Sequence, residues 1–172
     1  DVGPRWKELA DSWAPTAEDA YYAFNDVHAT MAYVGDGRLS EAERVIAALE
    51  RRTNGAGTNA MMAREVGLPL CRALKAFGEG HFSETIERLL PLRPIAHRFG
   101  GSHAQRDVIS LTLIEAAIRD GQAKLARALA AERTAFKPSS PFNWQLAARA
   151  LVAVGESEQA AQARKKARAL VA

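Results

Sequence analysis

The sequence predicts an all-α protein, built as a right-handed superhelical array of antiparallel helix pairs, an α-α solenoid. Three observations predict it. Apolar residues recur at helical spacing almost throughout, with no alternating apolar and polar run such as a half-buried strand needs. The composition is rich in Ala, Leu, Arg and Glu. A pattern of helix, glycine turn, helix and loop recurs four times, around Gly37, Gly80, Gly121 and Gly155. At 172 residues the chain is long enough for a single helical-repeat domain with a sizeable core.

A leading helix falls within residues 1–16. Pro4 stands near its start, Trp6, Leu9 and Trp13 follow at spacings of three and four, and Pro15-Thr16 ends it. The first pair occupies 18–53. Its first helix, about Glu18 to Val34, carries Phe24, Val27, Met31 and Val34 on one stripe. Its return helix, about Ser40 to Arg52, opens on Ser40-Glu41-Ala42-Glu43, which reads as a capping box. The second pair occupies 58–96, with Asn59 to Phe77 before the turn Gly78-Glu79-Gly80 and His81 to Leu90 after it. Pro69 lies inside that first helix, where it should free the Glu65 carbonyl and bend the axis. The third pair, 102–138, runs from Ser102 to Asp120 and from Gln122 to Phe136. The fourth, 141–172, runs from Pro141 to Val154 and returns through Leu170. Glu156, Glu158, Gln159, Gln162, Arg164, Lys165 and Lys166 make its last helix polar enough for a C-terminal cap.

The turn glycines are spaced 43, 41 and 34 residues apart, and the last spacing is the period of the tetratricopeptide repeat. Five residues after the glycine stand Ala42, Ala126 and Ala160, small enough for two helices to approach closely; Thr85 departs at the second turn. Trp144 stands eleven residues before Gly155, Tyr33 four before Gly37, and Pro138 closes the third unit. The repeats are therefore degenerate tetratricopeptide repeats. The amino end has no polar cap, and Trp6, Trp13, Tyr21, Tyr22 and Phe24 predict contact there with another subunit or an upstream segment. A start at Asp1 instead of Met is expected of a processed product or, in preference, of a fragment of a longer polypeptide.

Three stretches carry a resemblance. They are Asn25-Asp26-Val27-His28-Ala29, Arg64-Glu65-Val66-Gly67-Leu68-Pro69-Leu70 and Gly100-Gly101-Ser102-His103-Ala104-Gln105-Arg106-Asp107. Together they resemble the C-terminal portion of the tetratricopeptide repeat protein 38 family, over most of the chain from about Tyr21 onward. The resemblance implies degenerate helical repeats in a soluble protein whose parent chain is much longer. It brings no settled activity.

Composition narrows the function classes. The net charge is only +3, and the one basic cluster, Arg164-Lys165-Lys166-Ala167-Arg168, reads as a solvated face near a helix C-terminus. Without interleaved aromatics it does not predict a nucleic-acid partner. No apolar run is long enough to span a bilayer, so no membrane partner is expected. The lone Cys71 forms no internal disulfide, sits among apolar residues as a small hydrophobe, and leaves the cytoplasm as the expected location. No phosphate loop, dinucleotide fingerprint or metal motif is present, so no cofactor and no metal are expected. His97 and His103 lie six apart across a Gly-Gly pair, unlike two ligands on one helix.

The stretch His97 to Ile109 holds the densest chemistry. Ser102 and Gln105 fit a capping box, Gly100 and Gly101 supply the turn before it, and His97 and Arg98 suit a helix C-terminus. Helix chemistry does not require His103, Arg106 and Asp107. In a stacked array the first helix of each pair lines the concave face, so these three should converge with Asn25, Asp26 and His28, and with Arg64 and Glu65, on one edge of a groove. One reading is an internal network in which Arg106 and Arg64 pair with Asp26, Glu65 or Asp107. The other is a site for an acidic or amide-bearing ligand.

The expected function is a protein-interaction scaffold whose groove binds a partner peptide or helix, or another segment of its own parent chain. Self-association through the aromatic amino end is a further expectation. Leu70, Leu74 and Phe77 belong either to that groove or to the core. No catalytic constellation is convincing, so the chain is not expected to be an enzyme. The alternative is a small-molecule or enzymatic site at the polar edge formed by His28, Glu65, His103, Arg106 and Asp107.

Overall fold

A computed structural model describes residues 3–171, which contain helices and no strand. In order they are α1 (Arg5–Trp13), α2 (Ala23–Gly35), α3 (Leu39–Thr53), α4 (Thr58–Met62), a π-helical turn (Ala63–Gly67) and α5 (Leu68–Gly78). There follow α6 (Phe82–Leu89), two short 3₁₀ turns, α7 (His103–Arg119), α8 (Ala123–Phe136), α9 (Pro141–Ala153) and α10 (Ser157–Ala169). The chain divides into two compact units, one up to Thr112 and one from Leu113. In the first unit α2 packs on α1, α3 and α5, α3 packs on α5, and α5 packs on α6. Val27, Val45, Leu49, Val66, Leu70, Leu89 and Phe99 form its core. In the second unit α9 packs on both α8 and α10. Its core is small-grained: Ala126, Ala130, Ala148, Ala150 and Ala160 are buried beside Leu113, Ile114 and Leu146.

The four glycine turns share one backbone. Gly37, Gly80, Gly121 and Gly155 have φ of +76, +80, +74 and +81°, a region open to glycine and costly for other residues. The residues after them have ψ of 66, 68, 60 and 63°. The next N–H closes a three-residue turn on the glycine carbonyl at Gly80, Gly121 and Gly155. At three turns a Schellman bond reaches back five residues: Arg38 N–H to Tyr33 O at 2.8 Å, His81 to Ala76 at 2.9 Å, and Glu156 to Leu151 at 3.0 Å.

This backbone geometry starts α3, α6, α8 and α10 without any side-chain cap. The capping box expected at Ser40 and Glu43 therefore does not form. The helix has already begun at Leu39, Ser40 Oγ donates to Glu41 Oε2, and Glu43 pairs with Lys75. Five residues past each glycine, Ala42, Thr85, Ala126 and Ala160 are all 0 % exposed. Thr85 fits because its hydroxyl donates to His81 O at 3.0 Å and Ala73 O at 3.4 Å.

Two elements differ from the sequence expectation. First, α2 begins at Ala23 and not near Glu18. Asn59, one residue into α4, clips the chain just ahead of it: Oδ1 accepts the Ala23 N–H at 2.9 Å and Nδ2 donates to Ala20 O at 3.0 Å. The clip holds Ala20 at φ +46°, outside helical geometry. Second, Pro69 does not sit inside a regular helix. The turn before it widens, so that the Leu68 N–H reaches Ala63 O five residues back, and Pro69 falls in the first turn of α5. Widening by one residue relieves the clash a proline ring makes with the carbonyl one turn earlier. Gly67 closes the π turn against α2, where an added Cβ would lie 2.9 Å from Ala23 Cβ.

Candidate functional site

The Gly100-Gly101 pair is a packing device as well as a turn. Both residues have positive φ, +89 and +74°. A Cβ on Gly100 would collide with the Tyr22 hydroxyl, and one on Gly101 would enter the Phe24 ring. The rings of Tyr22, Phe24, Phe99 and His28 form a cluster around this contact, with Phe24 centroids 5.8, 5.3 and 4.4 Å from Tyr22, Phe99 and His28. Phe24 thereby belongs to the core, which corrects its place among the uncovered amino-terminal aromatics. Trp6 lies against Gly35 and is half-buried, as are Trp13 and Tyr22, whereas Tyr21 is exposed.

The Ser102–Gln105 capping box forms reciprocally. Gln105 N–H donates to Ser102 Oγ at 3.3 Å and Ser102 N–H to Gln105 Oε1 at 2.9 Å. One turn further on, Arg106 folds back over the same loop. Its Nη1 donates to Gly100 O at 3.0 Å and also to Gly101 O, and Nη2 lies 3.5 Å from His103 Nδ1. Arg106 is thus a clamp on two main-chain carbonyls that the glycine turn leaves without helical partners. His103 is exposed, and Asp107 is half-buried.

The other candidates separate. Asn25 is exposed on α2. His28 is half-buried and holds the Phe24 carbonyl through Nδ1 at 2.8 Å, which leaves Nε2 as its second polar atom. Arg64 turns away from this cluster and donates to Thr53 O at 2.8 Å, fastening the end of α3. Glu65 pairs with Arg98 at 2.7 Å. The pairing of Arg106 and Arg64 with Asp26, Glu65 or Asp107 does not appear in the bonds they make: main-chain carbonyls hold both guanidinium groups, and Arg98 takes Glu65. Arg98 was legible in sequence only as a helix-terminal cation. Leu70 and Leu74 are buried in the core and Phe77 is half-buried.

Asp26 is the chemically unusual member. It is 5 % exposed, and its Oδ2 has no hydrogen-bond partner. Burial, with the nearby Asp19 charge adding to it, pushes its carboxyl up to about 7. Cys71 is likewise buried, and burial pushes its thiol up to about 12. Such a thiol is a packing group and not a nucleophile.

A second face was not singled out in the sequence. On α9, Phe142, Gln145, Arg149 and Val152 are exposed at spacings of three, four and three, along one side of the helix. Arg149 grips Glu115 of α7 with two bonds, 2.8 and 3.1 Å, and Arg119 adds a third at 2.8 Å. These cations hold the Glu115 carboxyl below its usual range despite partial burial. The signal available in sequence was the i, i+3, i+7 run on α9, masked there by the apolar residues of its opposite face.

Among the described residues no cluster of His, Cys, Asp and Glu could hold a metal ion, and no helix is long and apolar enough to cross a membrane. No family model matches the chain, and no solved structure matches it.

Proposed function

We propose that this chain is a degenerate tetratricopeptide-type scaffold that holds a partner peptide or helix, or another segment of a longer parent chain, against the first helices of its pairs. The observation that carries the reading is the repeated turn: one glycine geometry four times over, each followed five residues later by a fully buried small side chain. A local unit that recurs in backbone and packing is what a stacked array requires. The resemblance to the tetratricopeptide repeat protein 38 family points the same way, and a cytoplasmic location accords with the single unbridged cysteine.

The exposed face of α9 is the stretch best suited to a partner. Phe142 and Val152 offer apolar anchors about ten residues apart, and the Arg149–Glu115 pair between them offers a polar register mark. At the polar edge, Asn25 and His103 are exposed and His28 is half-buried, while Arg106 and Arg64 serve main-chain carbonyls. This division favours a binding face over a catalytic pocket.

A photo-crosslinking residue placed at Gln145 or Asn25, compared with one at the outward Arg51, tests the reading in a cell extract. Adducts that form on a discrete peptide segment from Gln145 or from Asn25, each taken separately, and not from Arg51 are expected. Equal labelling from all three, or none, would overturn it.

A further inference from the structure

The two ends of the chain differ in charge and both expose apolar groups. In the second unit, Phe136 is 79 % exposed, Leu170 37 % and Val171 73 %. They lie at the same end of the α8–α9–α10 layer. Phe136 precedes the short loop whose Pro138 carbonyl accepts the Trp144 indole N–H at 2.7 Å, and Lys166 sits 5.0 Å over that indole, one helical turn before Leu170. Residues 137–172 carry six basic and two acidic side chains. Among the described residues Lys137, Lys165, Lys166 and Arg168 form no ion pair.

The amino end has the opposite character. Residues 1–30 carry six acidic and two basic side chains. The strap between α1 and α2 presents Tyr21, 86 % exposed, beside Glu18 and Asp19, and α1 presents Leu9, 44 % exposed, beside Glu8. Among the described residues Glu8 and Asp19 form no ion pair.

We propose that the basic, apolar end of the second unit docks on the acidic, aromatic strap of a second copy of this chain, in a head-to-tail contact. Each surface supplies what the other lacks: unpaired cations with exposed Phe, Leu and Val on one side, unpaired carboxylates with exposed Tyr and Leu on the other. A polyanion such as nucleic acid would use the cations and leave the aliphatic groups in water. The contact is heterologous, so the two partners use different patches, and it extends self-association beyond the amino end alone. It does not depend on the groove reading above.

The test is sedimentation of the 172-residue chain over a concentration series at low and high salt. Two charge-reversed forms are needed, one carrying E8K and D19K and the other K165E and R168E; all four positions are exposed, and circular dichroism checks that each form is folded. The wild type should associate at low salt and lose most of that association near 0.5 M, roughly where the screening length falls below contact range. Each reversed form alone should associate at least about tenfold more weakly. Mixing the two forms should restore association, because the unreversed amino end of one meets the unreversed basic end of the other, and the two reversed patches are again opposite in charge. A wild type that stays monomeric at every concentration would overturn the proposal. So would self-association that both reversals leave unchanged, or a mixture no stronger than its parts.

Discussion

Asp26→Asn should stabilise the protein at neutral and alkaline pH, against the usual direction for a buried polar substitution. The Asp26 carboxyl is 5 % exposed, Oδ2 is unpartnered, and burial raises its pKa from 3.8 to about 7. Because the folded-state value lies above the unfolded one, the folded protein binds the proton more tightly. Its contribution to stability is therefore full below about pH 4 and is lost as pH rises through about 7. A shift of about three units at 1.36 kcal/mol each sets an upper bound of about 4 kcal/mol between those limits. Asparagine removes the ionisation but leaves a buried amide with incomplete partners, a cost of about 1–3 kcal/mol. The expected net gain is thus about 1–3 kcal/mol at pH 8, turning to a loss of about 1–3 kcal/mol at pH 4. Urea unfolding of both proteins across that range measures it. A variant that is equally destabilised at pH 4 and pH 8 would refute the reasoning, because the carboxylate would then be satisfied in the folded state.

Other outcomes follow from single contacts. Gly101→Ala meets both a φ of +74° and the Phe24 ring, whereas Gly121→Ala has the same φ and open space. Urea unfolding should therefore give about 1 kcal/mol for Gly121→Ala and at least about 2 kcal/mol more for Gly101→Ala. Arg106→Ala removes the donor shared by the Gly100 and Gly101 carbonyls and should cost about 0.5–1.5 kcal/mol in the same assay, with Arg106→Lys recovering only part of it. Cys71, fully buried and with its thiol pushed up to about 12, should resist a thiol reagent at pH 8 until urea unfolds the chain. Rapid labelling of the native protein would contradict the burial.

Much of the candidate site was legible at the level of backbone chemistry. The Ser102–Gln105 box and the four glycine turns depend on residues within six positions of one another, and the sequence shows those directly. The partners of Arg106, Arg64 and Glu65 were not legible. Arg106 bends back to carbonyls in its own loop, Arg64 reaches the end of α3, and Glu65 finds Arg98 thirty-three residues away. A charged side chain about 6 Å long can choose among several such partners, and only packing decides which is near. The orphaned Asp26 oxygen is the clearest case: its spacing on α2 looks like that of any half-exposed acid, and its burial is set by the π turn and α5 packed against it.

The sequence by itself determined where the helix pairs reverse and where the Ser102 cap forms, because glycine turns, caps and apolar periodicity act over one or two turns of chain. Tertiary structure decided three further matters. Asn59 delays α2 until Ala23, Pro69 is absorbed by a π turn, and Gly100 and Gly101 stay bare because the rings of Tyr22 and Phe24 press on them. The first and third join residues tens of positions apart through a contact of a few ångströms, and the π turn is held against α2 where Gly67 meets Ala23. Local periodicity carries no information about which distant residue arrives; close packing does.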